Sequence, residues 1–283
     1  MKIIIMLLAA IIVSFNSPAA TTLDTVNRHA YGANLGWVDC VADTNNGAVI
    51  GEYVCSGFLY SANVGWINLG SGAPVNQILY QNNSAADFGV NQDGLGNLSG
   101  YAYGANIGWV KFEQTYGKPK VDLFSGNLSG SVWSANCGWL SLSNAVAHVQ
   151  TDSVRKGALA PDGLPIAWLL QNFGTTNVDA NADPDGDGMS NAQEYLAGTD
   201  PNNASSTLRI TYFNRDPAAA YNGMTWNAVN TRFYAVQTNS SLTSGVWLDR
   251  MAFPFLGANN GSWYDPTPTD NYYRIRAFRP LTP

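Results

Sequence analysis

Four stretches of the chain can be laid over one another without a gap, and no other feature restricts the fold as tightly. They are Ala30-Tyr-Gly-Ala-Asn-Leu-Gly-Trp-Val-Asp-Cys40, Leu59-Tyr-Ser-Ala-Asn-Val-Gly-Trp-Ile-Asn-Leu69, Ala102-Tyr-Gly-Ala-Asn-Ile-Gly-Trp-Val-Lys-Phe112 and Val132-Trp-Ser-Ala-Asn-Cys-Gly-Trp-Leu-Ser-Leu142. Their tryptophans, Trp37, Trp66, Trp109 and Trp139, stand 29, 43 and 30 residues apart. The last two units also share Gly-Asn-Leu-Ser-Gly, at 96–100 and 126–130. A repeat this short cannot bury a core alone, so the units must pack on one another.

Each unit reads as a β-hairpin. The Gly/Ser-Ala-Asn-x-Gly stretch supplies residues that tolerate positive φ in a tight turn, and aromatic and β-branched residues alternate on either side. On the outgoing strands Val38/Cys40, Ile67/Leu69, Val110/Phe112 and Leu140/Leu142 share the face expected to enter the core. The tryptophans fall on the other, polar face. Packing is one reason for that: each can stack across its hairpin on Tyr31, Tyr60, Tyr103 or Trp133. Alternatively Trp37, Trp66, Trp109 and Trp139 form a glycan platform, which requires them to be exposed in a row. The pattern resembles a short aromatic repeat, Gly-Tyr-Ala-Trp-Ser-x-Asn-x-Gly-Trp-Ile, of many exported bacterial proteins. It covers residues 30 to 142 and implies no particular activity.

The second constraint is the run from Asp183 to Glu194. Counting from Asp183, carboxylates fall at positions 1, 3 and 5 (Asp183, Asp185, Asp187), glycine at 6 (Gly188), Asn191 at 9 and Glu194 at 12. This is the ligand spacing of an EF-hand calcium loop. Alternate side chains aim at one centre, Gly188 makes the sharp turn, the Met189 carbonyl supplies position 7, and Glu194 reaches back with two oxygens. An all-oxygen, carboxylate-rich set favours Ca²⁺ over zinc. Before the loop, Ile166, Leu169, Leu170 and Phe173 make one apolar stripe on a short helix, with Pro165 in its first turn and Gly174 at its C-cap. After it, Ser190 and Gln193 form a capping box, Tyr195 and Leu196 face the entry helix, and Gly198 ends the exit helix. Asp179, Asn181 and Asp200 extend the acidic row, either toward the ion or as turn residues.

The stretch from Asp162 to Asn203 resembles the bacterial thrombospondin type 3-like repeat, a relative of dockerin and EF-hand loops. The resemblance rests on Ala-Trp-Leu-Leu-Gln-Asn-Phe-Gly, Asp-Pro-Asp-Gly-Asp-Gly-Met-Ser-Asn and Glu-Tyr-Leu-Ala-Gly-Thr-Asp-Pro. It implies calcium bound at the Asp, Asn and Glu positions and a linking role in an exported protein. A dockerin carries two such loops; this chain has one, which speaks against docking onto a cohesin.

Beyond the loop, strand-like runs such as 208–213, 233–237 and 272–278 are punctuated by Asn, Gly, Ser and Pro. They predict a β-sandwich, similar in pattern to fibronectin type III-like modules. At the other end, Met1-Lys2, an apolar run and Ser17-Pro18-Ala19-Ala20 have the form of a secretory signal peptide. No second apolar stretch is long enough to span a bilayer. The chain is only 12 % charged, with a formal net charge of -6 and no basic run. That excludes a nucleic-acid phosphate footprint. Cys40 and Cys55 can pair in an oxidising compartment, leaving Cys137 free. His29 and His148, far apart and solitary, read as structural.

The expected fold class is mainly β. A signal peptide (1–20) precedes a four-repeat antiparallel β domain (21–150), a linker (151–161), a short helix–calcium loop–helix (162–204) and a β-sandwich (205–283). No catalytic motif stands out. The expected function is that of a non-catalytic secreted or cell-surface protein whose calcium site joins two β-modules. The alternatives are carbohydrate binding through the repeat tryptophans and an extracellular polysaccharide hydrolase acting through two facing carboxyl groups.

Overall fold

The computed structural model describes residues 21–216, 221–243, 245–254, 260–265 and 272–282. The expected signal peptide at 1–20 lies outside them. The chain is mainly β, as its sequence predicts. No helix of the described residues is long and apolar enough to cross a membrane.

Four hairpins build the first half: β1 (Leu23–Gly32) with β2 (Gly36–Asp39), β3 (Ser56–Ser61) with β4 (Gly65–Ser71), β6 (Leu98–Gly104) with β7 (Gly108–Phe112), and β10 (Ser131–Ser134) with β11 (Gly138–Ser141). Shorter strands occupy the connections: β5 (Val90–Gln92), β8 (Lys120–Val121), β9 (Leu128–Ser129) and β12 (His148–Thr151). The hairpins follow one another around the sheet in the order β11-β10-β7-β6-β4-β3-β2-β1, and β1 pairs back onto β11. Eight antiparallel strands thus close into a barrel, which leaves the hairpins no free edge.

Closure is written into the repeat. The glycine after Asn-x holds φ of 74° at Gly36, 78° at Gly65, 69° at Gly108 and 78° at Gly138, a region that favours glycine. The residue before it turns into the barrel end: Leu35, Val64 and Ile107 are buried, and Cys137 packs against them partly buried. The asparagine then joins one repeat to the next. Asn63 Nδ2 donates to Leu35 O at 3.0 Å, Asn106 Nδ2 to Val64 O at 3.1 Å and Asn136 Nδ2 to Ile107 O at 3.0 Å. Asn34 Nδ2 donates to Cys137 O at 3.2 Å, so the first repeat clasps the last. Strand pairing between repeats follows the same rule. Asp39 lies opposite Tyr60, Asn68 opposite Tyr103, Lys111 opposite Trp133 and Ser141 opposite Tyr31.

The interior is filled as the alternation predicts. Ala30 faces Val38, Leu59 faces Ile67, Ala102 faces Val110 and Val132 faces Leu140 across their hairpins, all buried. The tryptophans lie on the outer face, each against its cross-strand aromatic: Tyr31–Trp37 at 5.2 Å, Tyr60–Trp66 at 4.8 Å, Tyr103–Trp109 at 4.9 Å and Trp133–Trp139 at 5.1 Å between ring centroids. They remain 43 % to 49 % exposed. Because every second strand carries one, they ring the barrel instead of lying in a row. A platform using all four at once is therefore ruled out by the closure.

The expected Cys40–Cys55 bond is not formed. Both are free thiols buried in the barrel interior, where desolvation pushes each up to about 12. His148 Nε2 lies 3.0 Å from Asn127 Oδ1, a structural contact, and His29 sits opposite it across β1 and β12. The 151–161 segment links the halves but does not run free. Arg155 N–H donates to Ile50 O at 2.9 Å, Glu52 N–H to Arg155 O at 2.8 Å, and Val154 N–H to Leu281 O at 2.9 Å.

The C-terminal part contains two three-stranded antiparallel sheets. One is ordered β13 (Ile210–Asp216), β14 (Tyr221–Asn227), β17 (Asn260–Asp265); the other β16 (Leu248–Pro254), β15 (Phe233–Asn239), β18 (Tyr272–Phe278). Met224 and Trp226 from the first share a buried cluster with Tyr234 and Val236 from the second. Phe233 points the other way and joins the barrel's apolar cluster, meeting Phe124 at 5.9 Å and Phe278 at 5.8 Å. The two β parts therefore touch directly.

Candidate metal centre

Between them lie α1 (Ile166–Phe173) and α2 (Asn191–Ala197). Pro165 sits at the N-cap of α1 and Gly174 at its left-handed C-cap, one residue earlier than expected for Pro165. The stripe read from the sequence omitted Trp168, which is buried with Leu169 and stacks on Phe173 at 5.8 Å and Tyr195 at 5.7 Å. Helix α2 starts with the predicted capping box, Ser190 with Gln193, and ends at Gly198. Tyr195 faces α1 as predicted; Leu196 does not, being exposed. The helices share a small core of Ala160, Leu164, Trp168, Leu169, Ala180 and Tyr195, to which the barrel contributes Tyr53.

The loop from Asp183 to Glu194 folds around its own carboxylates. Asp183 accepts the Gly186 N–H at 2.8 Å and the Gly188 N–H at 2.9 Å, Asp185 accepts the Asp187 N–H at 3.3 Å, and Asp187 accepts the Met189 N–H at 2.7 Å. Gly186 and Gly188 have φ of 77° and 94°, which lets successive N–H groups turn inward. One oxygen from each of Asp183, Asp185 and Asp187 lies within 4.8 Å of the others. The turn before the loop is tied to α2: Asn191 N–H donates to Ala182 O and Ala192 N–H to Ala180 O, each at 2.9 Å. Asn191 Nδ2 donates to Asp179 O at 2.8 Å, which commits the amide nitrogen and leaves Oδ1 for the loop.

These bonds use only part of the oxygen set. Asp185 Oδ2, Asp187 Oδ2, Asn191 Oδ1 and both carboxylate oxygens of Glu194 are buried with no protein hydrogen-bond partner. Such a group is costly unless something positive meets it. Burial, then the charges of Asp185 and Asp187, push the Glu194 carboxyl up to about 7. Among the described residues, no basic side chain answers this cluster. A hard divalent cation could do so with the chemistry on hand. Asp183, Asp185, Asp187, the Met189 carbonyl, Asn191 and a bidentate Glu194 total the six to eight oxygens that Ca²⁺ takes. Of the outlying acids, Asp179 caps the Asn181 N–H at 2.8 Å and Asp200 the Asn202 N–H at 3.1 Å; both are turn residues.

One turn of α2 also carries a group of residues that sequence reasoning missed. Tyr195, next to Glu194, donates its hydroxyl to Glu52 Oε2 at 2.7 Å. Glu52, from the barrel, pairs with Arg279 at 2.8 Å, and the Arg279 guanidinium lies 5.3 Å from the Tyr195 ring. Arg232, from the C-terminal part, donates to Tyr195 O at 2.6 Å and Leu196 O at 3.0 Å. Met189 also reaches that part, its Sδ accepting the Leu208 N–H at 3.4 Å. Glu52 and Arg279 are 227 residues apart, so no local pattern announces the pair.

No curated protein and no solved structure matches the chain. Residues 183–204 match the family model of the bacterial TSP3 repeat, a calcium-binding repeat, and this similarity falls on the same acidic loop and exit helix that the geometry singles out.

Proposed function

We propose that this chain is a non-catalytic secreted or cell-surface protein in which one calcium ion fixes the junction between its two β-modules. The observation that carries this reading is the adjacency of Glu194 and Tyr195. The first places two unpartnered carboxylate oxygens in the loop, and the second holds the Glu52–Arg279 pair and the Arg232 side chain. Because the β-modules already touch through Phe233, the ion acts as a brace on a packed junction and not as a hinge for free modules. The C-terminal pair of sheets around Trp226 supports the fibronectin type III-like reading.

The use made of carboxylates elsewhere supports a non-catalytic role. Asp24, Asp43, Asp93, Glu113 and Asp122 each accept N–H groups from the residues just after them, which makes them turn caps. Export rests on the form of the first twenty residues and on the resemblance of both repeat types to exported proteins. Hydrogen exchange on the full chain, with calcium and with chelator, tests the reading. Calcium is expected to slow exchange both in the loop and in remote segments around Glu52, Arg232 and Arg279. Protection confined to the loop would reject the brace.

A further inference from the structure

We propose that the insert between the second and third repeats turns one of the four outer tryptophan units into a binding groove for a neutral sugar residue. Trp66 and Trp109 are 43 residues apart, against 29 and 30 for the other neighbours. The extra chain returns Phe88 onto Trp109, with ring centroids 5.1 Å apart and planes at 79°. Tyr101 at 6.0 Å and Tyr103 at 4.9 Å hold the same indole from its own hairpin. The rings packed on Trp37 and Trp66 are His29 and Tyr31, and Phe58 and Tyr60, all from their own strands. Trp109 is thus the indole with a wall built beside it.

The wall encloses a groove of about 390 Å³, lined by Asn82, Asn83, Ser84, Phe88, Tyr101 and Trp109. That is room for one or two rings of a small ligand. None of its lining side chains carries a charge. The acid next to this lining, Asp87, is buried and turned away, accepting the Val75 and Gln81 N–H groups at 3.2 and 3.1 Å. The Asn82 amide is oriented by accepting the Gly89 N–H at 3.0 Å and donating to Tyr80 O at 3.3 Å, which leaves one lone pair and one N–H for a ligand. Asn83 and Ser84 are exposed at the rim.

This chemistry selects its occupant. The negative face of an indole attracts the weakly positive C–H face of a pyranose, while amides and a hydroxyl exchange hydrogen bonds with its ring hydroxyls. An anionic sugar finds no cation in the lining, and a purely apolar ligand would strand the amides. The Asn82 amide and the three rings are held by contacts within the fold, so little ordering of them is needed on binding.

Binding of the intact, calcium-loaded protein to cellohexaose, mannohexaose and polygalacturonate, read by tryptophan fluorescence and by affinity electrophoresis, tests the groove. At least one neutral hexamer is expected to bind. Trp109→Ala should weaken it tenfold or more and Trp66→Ala less than twofold. Ser84→Lys, at an exposed position, should weaken it at least fivefold without loss of β circular dichroism, which guards against a misfolded Trp109 variant. No binding of either neutral hexamer, equal losses in Trp66→Ala and Trp109→Ala, or preference for polygalacturonate would overturn the proposal.

Discussion

Replacing Glu194 by glutamine is expected to change the protein's stability in opposite directions with and without calcium. Without the ion, Glu194 is a buried acid raised from 4.5 to about 7 beside Asp185 and Asp187. Below pH 4.5 both folded and unfolded states hold its proton, and it costs nothing. Between pH 4.5 and about 7 the unfolded chain has released the proton and the folded chain has not, so stability falls as pH rises. Above about 7 the cost is complete, at most about 3 kcal/mol from 1.36 kcal/mol per unit and less where water enters the loop. Glutamine has no charge to bury, so in chelator at pH 8 the variant should be the more stable protein, by about 1–3 kcal/mol. With calcium the order reverses. An extracellular site of dissociation constant on the order of 10⁻⁴ M, at about 100 mM calcium, gains about 4.1 kcal/mol, more than the bare carboxylate costs. Losing the bidentate carboxylate forfeits most of that. Urea unfolding of both proteins at pH 5 and pH 8, in chelator and in calcium, reads the four differences. The same sign in chelator and in calcium at pH 8 would refute the reasoning.

The other expectations concern the frame around the site. Arg279→Met should cost up to about 3–5 kcal/mol in urea unfolding, because it removes the buried member of the pair and strips Glu52, whose side chain is only 12 % exposed, of its partner; Glu52→Gln in the same chain should restore part of it. Asn136→Ala should cost about 0.5–1.5 kcal/mol through loss of its bond to Ile107 O, and Asn34→Ala, at the barrel's closing contact, should cost a similar amount. With Cys40 and Cys55 buried and their thiols raised to about 12, native protein should consume no more than one equivalent of a thiol reagent, at Cys137, and three after denaturation.

The loop and the hairpins were legible because each is a local device. Asp183 to Glu194 gathers its carboxylates within one loop and the first turn of a helix, and Gly188 and Ser190 mark that geometry in order. Gly36, Gly65, Gly108 and Gly138 announce turns for the same reason. What the sequence concealed was non-local. That Asn34, Asn63, Asn106 and Asn136 clasp neighbouring repeats could be read only once the hairpins were known to run in a circle. Barrel closure also sends the tryptophans to different sides, which no strand pattern reveals. Trp168 escaped the helical stripe because an eight-residue helix buries two faces, one under Tyr195 and one against its own entry segment. The junction pair of Glu52 and Arg279 had one faint signal: in a chain so poor in charge, each ionic side chain needs a reason to be there.

The most direct test of the central claim is thermal unfolding of the intact chain with calcium and with chelator at pH 7.5. The account predicts a clear upward shift of the transition with calcium, dependent on its concentration and largely lost in Glu194→Gln. Superimposable melting profiles in calcium and chelator would contradict it.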